Sequence, residues 1–175
     1  MSTETPEAGG AIVSAIAAAT PFTKFSAELN TQYDAAASKT LGYDVWRVTK
    51  AFKYYVGDIA DDCWVYVPAG YLTDGASVPQ LLWNLLPPWG AYGQAAVVHD
   101  ILCETLIVHK GGQAQQITRA KADSIFKEAM TVLGVPAWKR NVMYIAVRTF
   151  ATVTNRVNPS DDPKKDELQN AWQPT

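Results

Sequence analysis

Cysteine is scarce in this chain. The two present, Cys63 and Cys103, form no CxxC pair and stand near no zinc quartet, which excludes a disulfide-rich scaffold and argues against structural zinc. No basic start precedes the apolar run from Ala11 to Ala19, and that run falls far short of the roughly 20 residues that cross a bilayer, so neither a signal peptide nor a membrane span is expected. Positive charge is not in excess either. A formal net charge of -2 supplies no field that draws the chain to nucleic acid, and general nucleic-acid binding is not expected.

What the chain does have is apolar material. Its 48% hydrophobic and 11% aromatic content is enough for a packed core, and 175 residues suit one domain with extensions. Residues 1–40 read as an N-terminal arm, 41–157 as an α+β domain and 158–175 as a polar, proline-punctuated tail that is mobile or bound to a partner. The arm's Ala11–Ala19 segment suits a short helix, folded back on its own domain or docked on a neighbour.

The expected fold class is α+β, with a small antiparallel sheet followed by a bundle of three to four helices. Alternation from Tyr43 to Val56 predicts a strand, and a second should run from Cys63 to Val67. Asp58, Asp61 and Asp62 lie between them beside Gly57, which fits a turn better than a calcium loop because the spacing of an EF-hand is lacking. Leu81, Leu82, Leu85 and Leu86 predict a short helix stopped by Pro87 and Pro88. Tyr92, Ala95, Ala96, His99, Leu102, Cys103 and Leu106 predict a longer helix ending near Gly111 and Gly112. A third helix should start after Gln116 and carry Ala122, Ile125, Phe126, Ala129 and Leu133 to Gly134, and Pro136 should open a fourth. In the fourth, Trp138, Val142, Ile145, Ala146 and Thr149 share one face. Trp64, Trp83 and Trp89 are expected to fill the seam between sheet and helices.

Two segments could carry chemistry. The loop Thr73-Asp74-Gly75-Ala76-Ser77-Val78-Pro79 fits a sharp turn: Asp74 could accept backbone N–H groups, Gly75 take a positive φ and Ser77 cap a helix. Its functional reading makes Asp74 or Ser77 a ligand or proton partner facing His99. The pair His99-Asp100 sits in an otherwise apolar helix, where an imidazole and a carboxylate are costly unless paired. Asp123, just past Arg119 on the next helix, is the natural partner for His99. A carboxylate there orients the imidazole and raises its basicity, leaving Asp100 to hold a cation. The same residues also suit a polar network that only ties helices together. Lys139, Arg140, Arg148 and Arg156 cluster in a late segment without acidic residues, as a phosphate or partner site or as a solvated helix face. A serine hydrolase has little support, because Ser77 lies in no GxSxG elbow.

The motifs Val67-Pro68-Ala69-Gly70, Thr73 to Pro79, Ala95 to Asp100 and Ala122 to Phe126 occur in the order and spacing of a domain of unknown function found in bacteriophage and prophage genomes, which the chain resembles from Val65 to Phe150. A fainter similarity is to prokaryotic phospholipases A2, where a helix carries a His-Asp pair and an antiparallel helix supplies another Asp. That similarity implies His99 as the base, Asp100 as a calcium ligand and Asp123 as the orienting carboxylate, although the expected calcium loop and bracing disulfides are missing. The phage resemblance implies a phage origin and little biochemistry; the arm and the tail, which make sense when partners order them, point to a structural protein of the virion: a tail, baseplate or connector component whose terminal arms grip other phage structural proteins or further copies of itself. Such a protein resides in the virion, or in the host cytoplasm before assembly. The alternative is a His-Asp hydrolase acting on the bacterial envelope or a small substrate, with His99, Asp100 and Asp123 as catalytic residues. Asp74, Ser77 and Arg119 would then bind substrate, and Asp100 a divalent cation such as calcium.

Overall fold

Periodicity and capping place the elements of the computed structural model, which describes residues 24–75, 90–155, 158–159 and 162–173. Ala11–Ala19, Ser77, the Leu81–Leu86 helix, Trp83, Trp89 and Arg156 lie outside these residues. In chain order the strands and helices are β1 (Thr31–Tyr33), α1 (Ala35–Leu41), β2 (Trp46–Val48), β3 (Phe52–Tyr55), β4 (Cys63–Val67), β5 (Leu72–Thr73), α2 (Gly93–Thr105), β6 (Ile107–Lys110), β7 (Gln113–Gln116), α3 (Arg119–Val132), α4 (Ala137–Val153) and α5 (Pro163–Asn170). The fold is α+β, with two small antiparallel sheets and five helices among the described residues.

The run from Tyr43 to Val56 yields two strands rather than one, and they join different sheets. β2 is the middle of a three-stranded sheet ordered β1-β2-β5, and β3 is the edge of a four-stranded sheet ordered β3-β4-β6-β7. The chain leaves the first sheet at Thr49, whose N–H donates to Asn30. Between β3 and β4 the acidic cluster makes a turn: Asp58 and Asp61 form a capping box around the 3-10 segment Ile59–Asp61, which satisfies amides that a tight turn would leave unpaired.

Period-two alternation decides which way the four-stranded sheet faces. Phe52, Tyr54, Val65 and Val67 point inward and share a core with Ala95, Val98 and Leu102 of α2 and Ile125 and Ala129 of α3. Each Val, Leu, Ile or Phe among these contributes about 1.5–3 kcal/mol on burial. The same alternation turns Trp64 outward, correcting its expected place in the seam. Its ring lies between the Lys53 ammonium, 3.9 Å from the centroid, and the stacked His109 ring at 4.1 Å.

Helix α2 stops six residues before the glycines expected to end it. Leu106 takes a left-handed φ of 52° and returns its N–H to Leu102. The segment beyond is a hairpin, with His109 paired to Ala114 across Gly111 and Gly112, both at positive φ. Helices α3 and α4 lie where expected, capped by Thr118 and opened by Pro136. The shared face of α4 is split, however: Val142 packs against the core while Trp138 and Ile145 are exposed, and the residues that α4 buries fully are Met143 and Ala151.

The segments read as arm and tail both supply ordered elements. Asp34 caps α1 and Gly42 ends it in the left-handed conformation, and β1 pairs with β2 from Thr31 to Tyr33. Helix α5 is held mostly by polar contacts. Gln169 accepts the Leu72 N–H at 2.9 Å, Arg47 donates to the Leu168 carbonyl, and Trp172 lies so close over Gly70 that a β-carbon there would sit 2.7 Å from its ring.

Candidate functional site

Helix α2 carries both candidate residues, and the 100° turn between successive helical positions sends them to different neighbourhoods. His99 faces α3, where its Nε2 meets Asp123 Oδ1 at 2.8 Å and its ring stacks on Phe126 with centroids 4.7 Å apart. Asp123 is fully enclosed. Arg148 of α4 donates to its Oδ2 at 3.2 Å, and Arg119, one helical turn before it, brings Nε to 3.5 Å from Oδ1. Three helices therefore converge on one carboxylate.

The electrostatics follow from these contacts. Burial pulls the His99 imidazole below its ordinary value, and the hydrogen bond and charge of Asp123 oppose this only in part. Burial pushes the Asp123 carboxyl up, but His99, Arg148 and Arg119 outweigh it and hold the group below its ordinary value. The resulting state is a neutral imidazole against an ionised carboxylate. With Nε2 donating to Asp123, the lone pair at Nδ1 is the basic one, the tautomer that a general base requires. Cys103 Sγ lies beside the ring, 3.5 Å from Nε2 and 3.7 Å from Nδ1, but burial raises its thiol well above the ordinary value, so it is not the thiolate of a Cys-His nucleophile.

Asp100 turns the other way. Its Oδ2 accepts from the Thr73 hydroxyl at 2.6 Å, and that hydroxyl also accepts the Gly75 N–H. Thr73 thus makes a side-chain turn in this loop, and Gly75 has the expected positive φ. Burial and the charge of Asp74 raise the Asp100 carboxyl well above its ordinary value. The cation nearby is Lys165 of α5, which is ion-paired with Glu104 and lies 4.5 Å from the Tyr71 ring centroid. Among the described residues no three His, Cys, Asp or Glu side chains converge on a point where they could hold a metal ion.

The structure thus brings His99, Asp123 and Arg119 together, and places Asp100 with Thr73 and near Asp74. Arg148 and Lys165 were missed as members of these two groups. Arg148 stood out only as a member of the basic cluster Lys139, Arg140, Arg148 and Arg156, and Lys165 carried no comparable signal.

The family described as protein of unknown function (DUF1353) matches residues 46–147, more than half of the chain. The chain belongs to that family. Its match runs from β2 into α4 and takes in Asp74, His99, Asp100, Arg119 and Asp123, while Arg148 and Lys165 fall beyond it. The uncharacterized protein y4jT of Sinorhizobium fredii (strain NBRC 101917 / NGR234) is 42% identical over 86 residues, covering 48% of this chain and 23% of that protein. The chain therefore spans less than a quarter of that relative's length. No solved structure matches it.

Proposed function

We propose that this DUF1353 member is a hydrolase in which His99 activates water and Asp123 orients and charges the imidazole. The observation that carries the reading is the 2.8 Å contact between His99 Nε2 and an ionised, enclosed Asp123. Removing a proton from water makes an imidazolium at His99, and the adjacent carboxylate stabilises that cation where burial alone would disfavour it. Asp100 holds the Thr73–Gly75 turn through the Thr73 hydroxyl rather than touching substrate. The substrate lies in the bacterial envelope or is a small ester within the host cell. Purified protein incubated with isolated envelopes and with a panel of esters should release soluble products. Substituting His99→Ala should slow release by about 10²- to 10⁴-fold with the thermal transition retained. Equal release by wild type and variant, or none by wild type, overturns the proposal.

A second reading, a bacteriophage virion component, draws support from α4. Trp138, Ile145 and Val153 expose large apolar surface along that helix, Val153 being 78% exposed, as an element that packs on another subunit would. The motifs that resemble a phage domain fit this context, and a virion protein carrying a His-Asp hydrolytic site unites both readings. Mass spectrometry of purified particles at an integral copy number supports it, and absence from particles removes it.

A further inference from the structure

Charge around Asp123 does not cancel. The carboxylate contributes one negative charge, Arg119 and Arg148 contribute two positive charges, and the buried His99 is neutral. Among the described residues Asp123 is the one acid in ion-pair contact with either guanidinium. Its own acceptors are already engaged: Oδ1 with His99 and Oδ2 with Arg148.

One donor is also unspent. Arg119 Nε is buried and makes no hydrogen bond, being within ion-pair range of Asp123 but donating to nothing. Buried charged donors are rarely left this way, because each carries the full cost of desolvation without compensation. Arg148 uses Nη1 on Asp123, and its side chain is 38% exposed where that of Arg119 is 11%. The cluster therefore meets solvent on the Arg148 side, beside α4.

We infer that the His99 site takes a substrate bearing a phosphoryl oxyanion, held by the guanidiniums of Arg119 and Arg148. This rests on the hydrolytic reading of His99 and narrows its substrate class. One extra positive charge suits an anion, and planar guanidinium forks match phosphate oxygens in pairs. Two forks borne on different helices suit a tetrahedral group with three free oxygens better than a flat carboxylate with two.

Inorganic phosphate is the probe, titrated into the full chain at constant ionic strength while the His99 ring resonances are followed by NMR. With only two histidines in the chain, the variant His109→Gln assigns them. A saturable shift of the His99 signal is expected, with affinity about tenfold weaker in Arg119→Met and Arg148→Met and unchanged in Lys53→Met, which lies on the outer sheet face. Acetate should shift the signal less at equal concentration. Should the methionine variants fail to fold, Arg119→Lys keeps the charge without the fork and should still bind several-fold more weakly. The inference is overturned by a His99 signal that phosphate leaves unmoved, by arginine variants that bind as wild type does, or by acetate matching phosphate. Binding is read without turnover. Phosphate binding in a protein that hydrolyses nothing keeps the oxyanion site and removes the hydrolytic reading, whereas hydrolysis without phosphate binding does the reverse.

Discussion

His99 and Asp100 are neighbours in one helix, yet their surroundings treat the proton in opposite ways. On the α3 side, three cationic or hydrogen-bonding partners surround Asp123 and keep it ionised despite full enclosure. On the β5 side, Asp100 has one hydroxyl donor among the described residues, and burial with the acidic neighbours Asp74 and Glu104 outweighs that donor and the Lys165 charge, so the proton is retained. Depth is therefore a poor guide to the state of either carboxyl. What decides it is how many donors the neighbouring elements aim at it.

The largest break in this contrast should come from Asp123→Ala. It leaves His99, Arg119 and Arg148 around an empty centre, and urea denaturation should show a loss of about 3–5 kcal/mol, the usual result of removing one partner of a buried ion pair. On the other side, Lys165→Met strips the cation from Glu104 and loosens α5. A loss of about 2 kcal/mol is expected, with faster proteolysis near Asp162 as the local readout.

Asp100→Asn should act in the opposite direction, adding about 1 kcal/mol of stability at a pH of about 8 by removing a carboxyl that folding forces to stay protonated. The sign follows from its raised value in the folded chain. The folded state holds the proton that the unfolded state releases above 3.8, so wild-type stability falls as pH rises above that point, and the advantage of the variant fades in acid. The smallest effect belongs to His99, whose value is lowered on folding from 6.5. Its unfolded form takes up a proton first as pH falls below that point, so wild type should lose stability there, and His99→Gln should flatten that slope. Stability measured by urea against pH tests both signs.

The His99–Asp123 contact was legible because a polar pair in an apolar helix demands a partner, and the next helix offers Asp123 at a position where its neighbours Ala122, Ile125 and Phe126 are buried. The hairpin β6–β7 was not. Its second strand reads Gln-Ala-Gln-Gln and is exposed throughout, so no alternation betrays it, and the helix before it ends on a leucine rather than a glycine. Helix α1 carried its signals in Asp34 and Gly42, but its seven residues, small or polar except Leu41, offer little apolar periodicity between them. The divergence of Asp100 from His99 depends on β5 and α5, elements placed by contacts 27 and 61 residues away in sequence. Local pattern does not reach that far.

Arg47 has a long wait during synthesis. Its Nη1 shares itself between the Gly70 carbonyl and that of Leu168, and Leu168 is polymerised 121 residues later. At ribosomal speeds this interval is on the order of ten seconds, far longer than a hairpin or helix needs to form. Until then the three-stranded sheet can be made, but the Leu72 amide that Gln169 later engages stays uncovered. A nascent chain stalled before α5 should therefore present this sheet to chaperones or proteases, while the four-stranded sheet and its helices, complete by Val153, are already shielded.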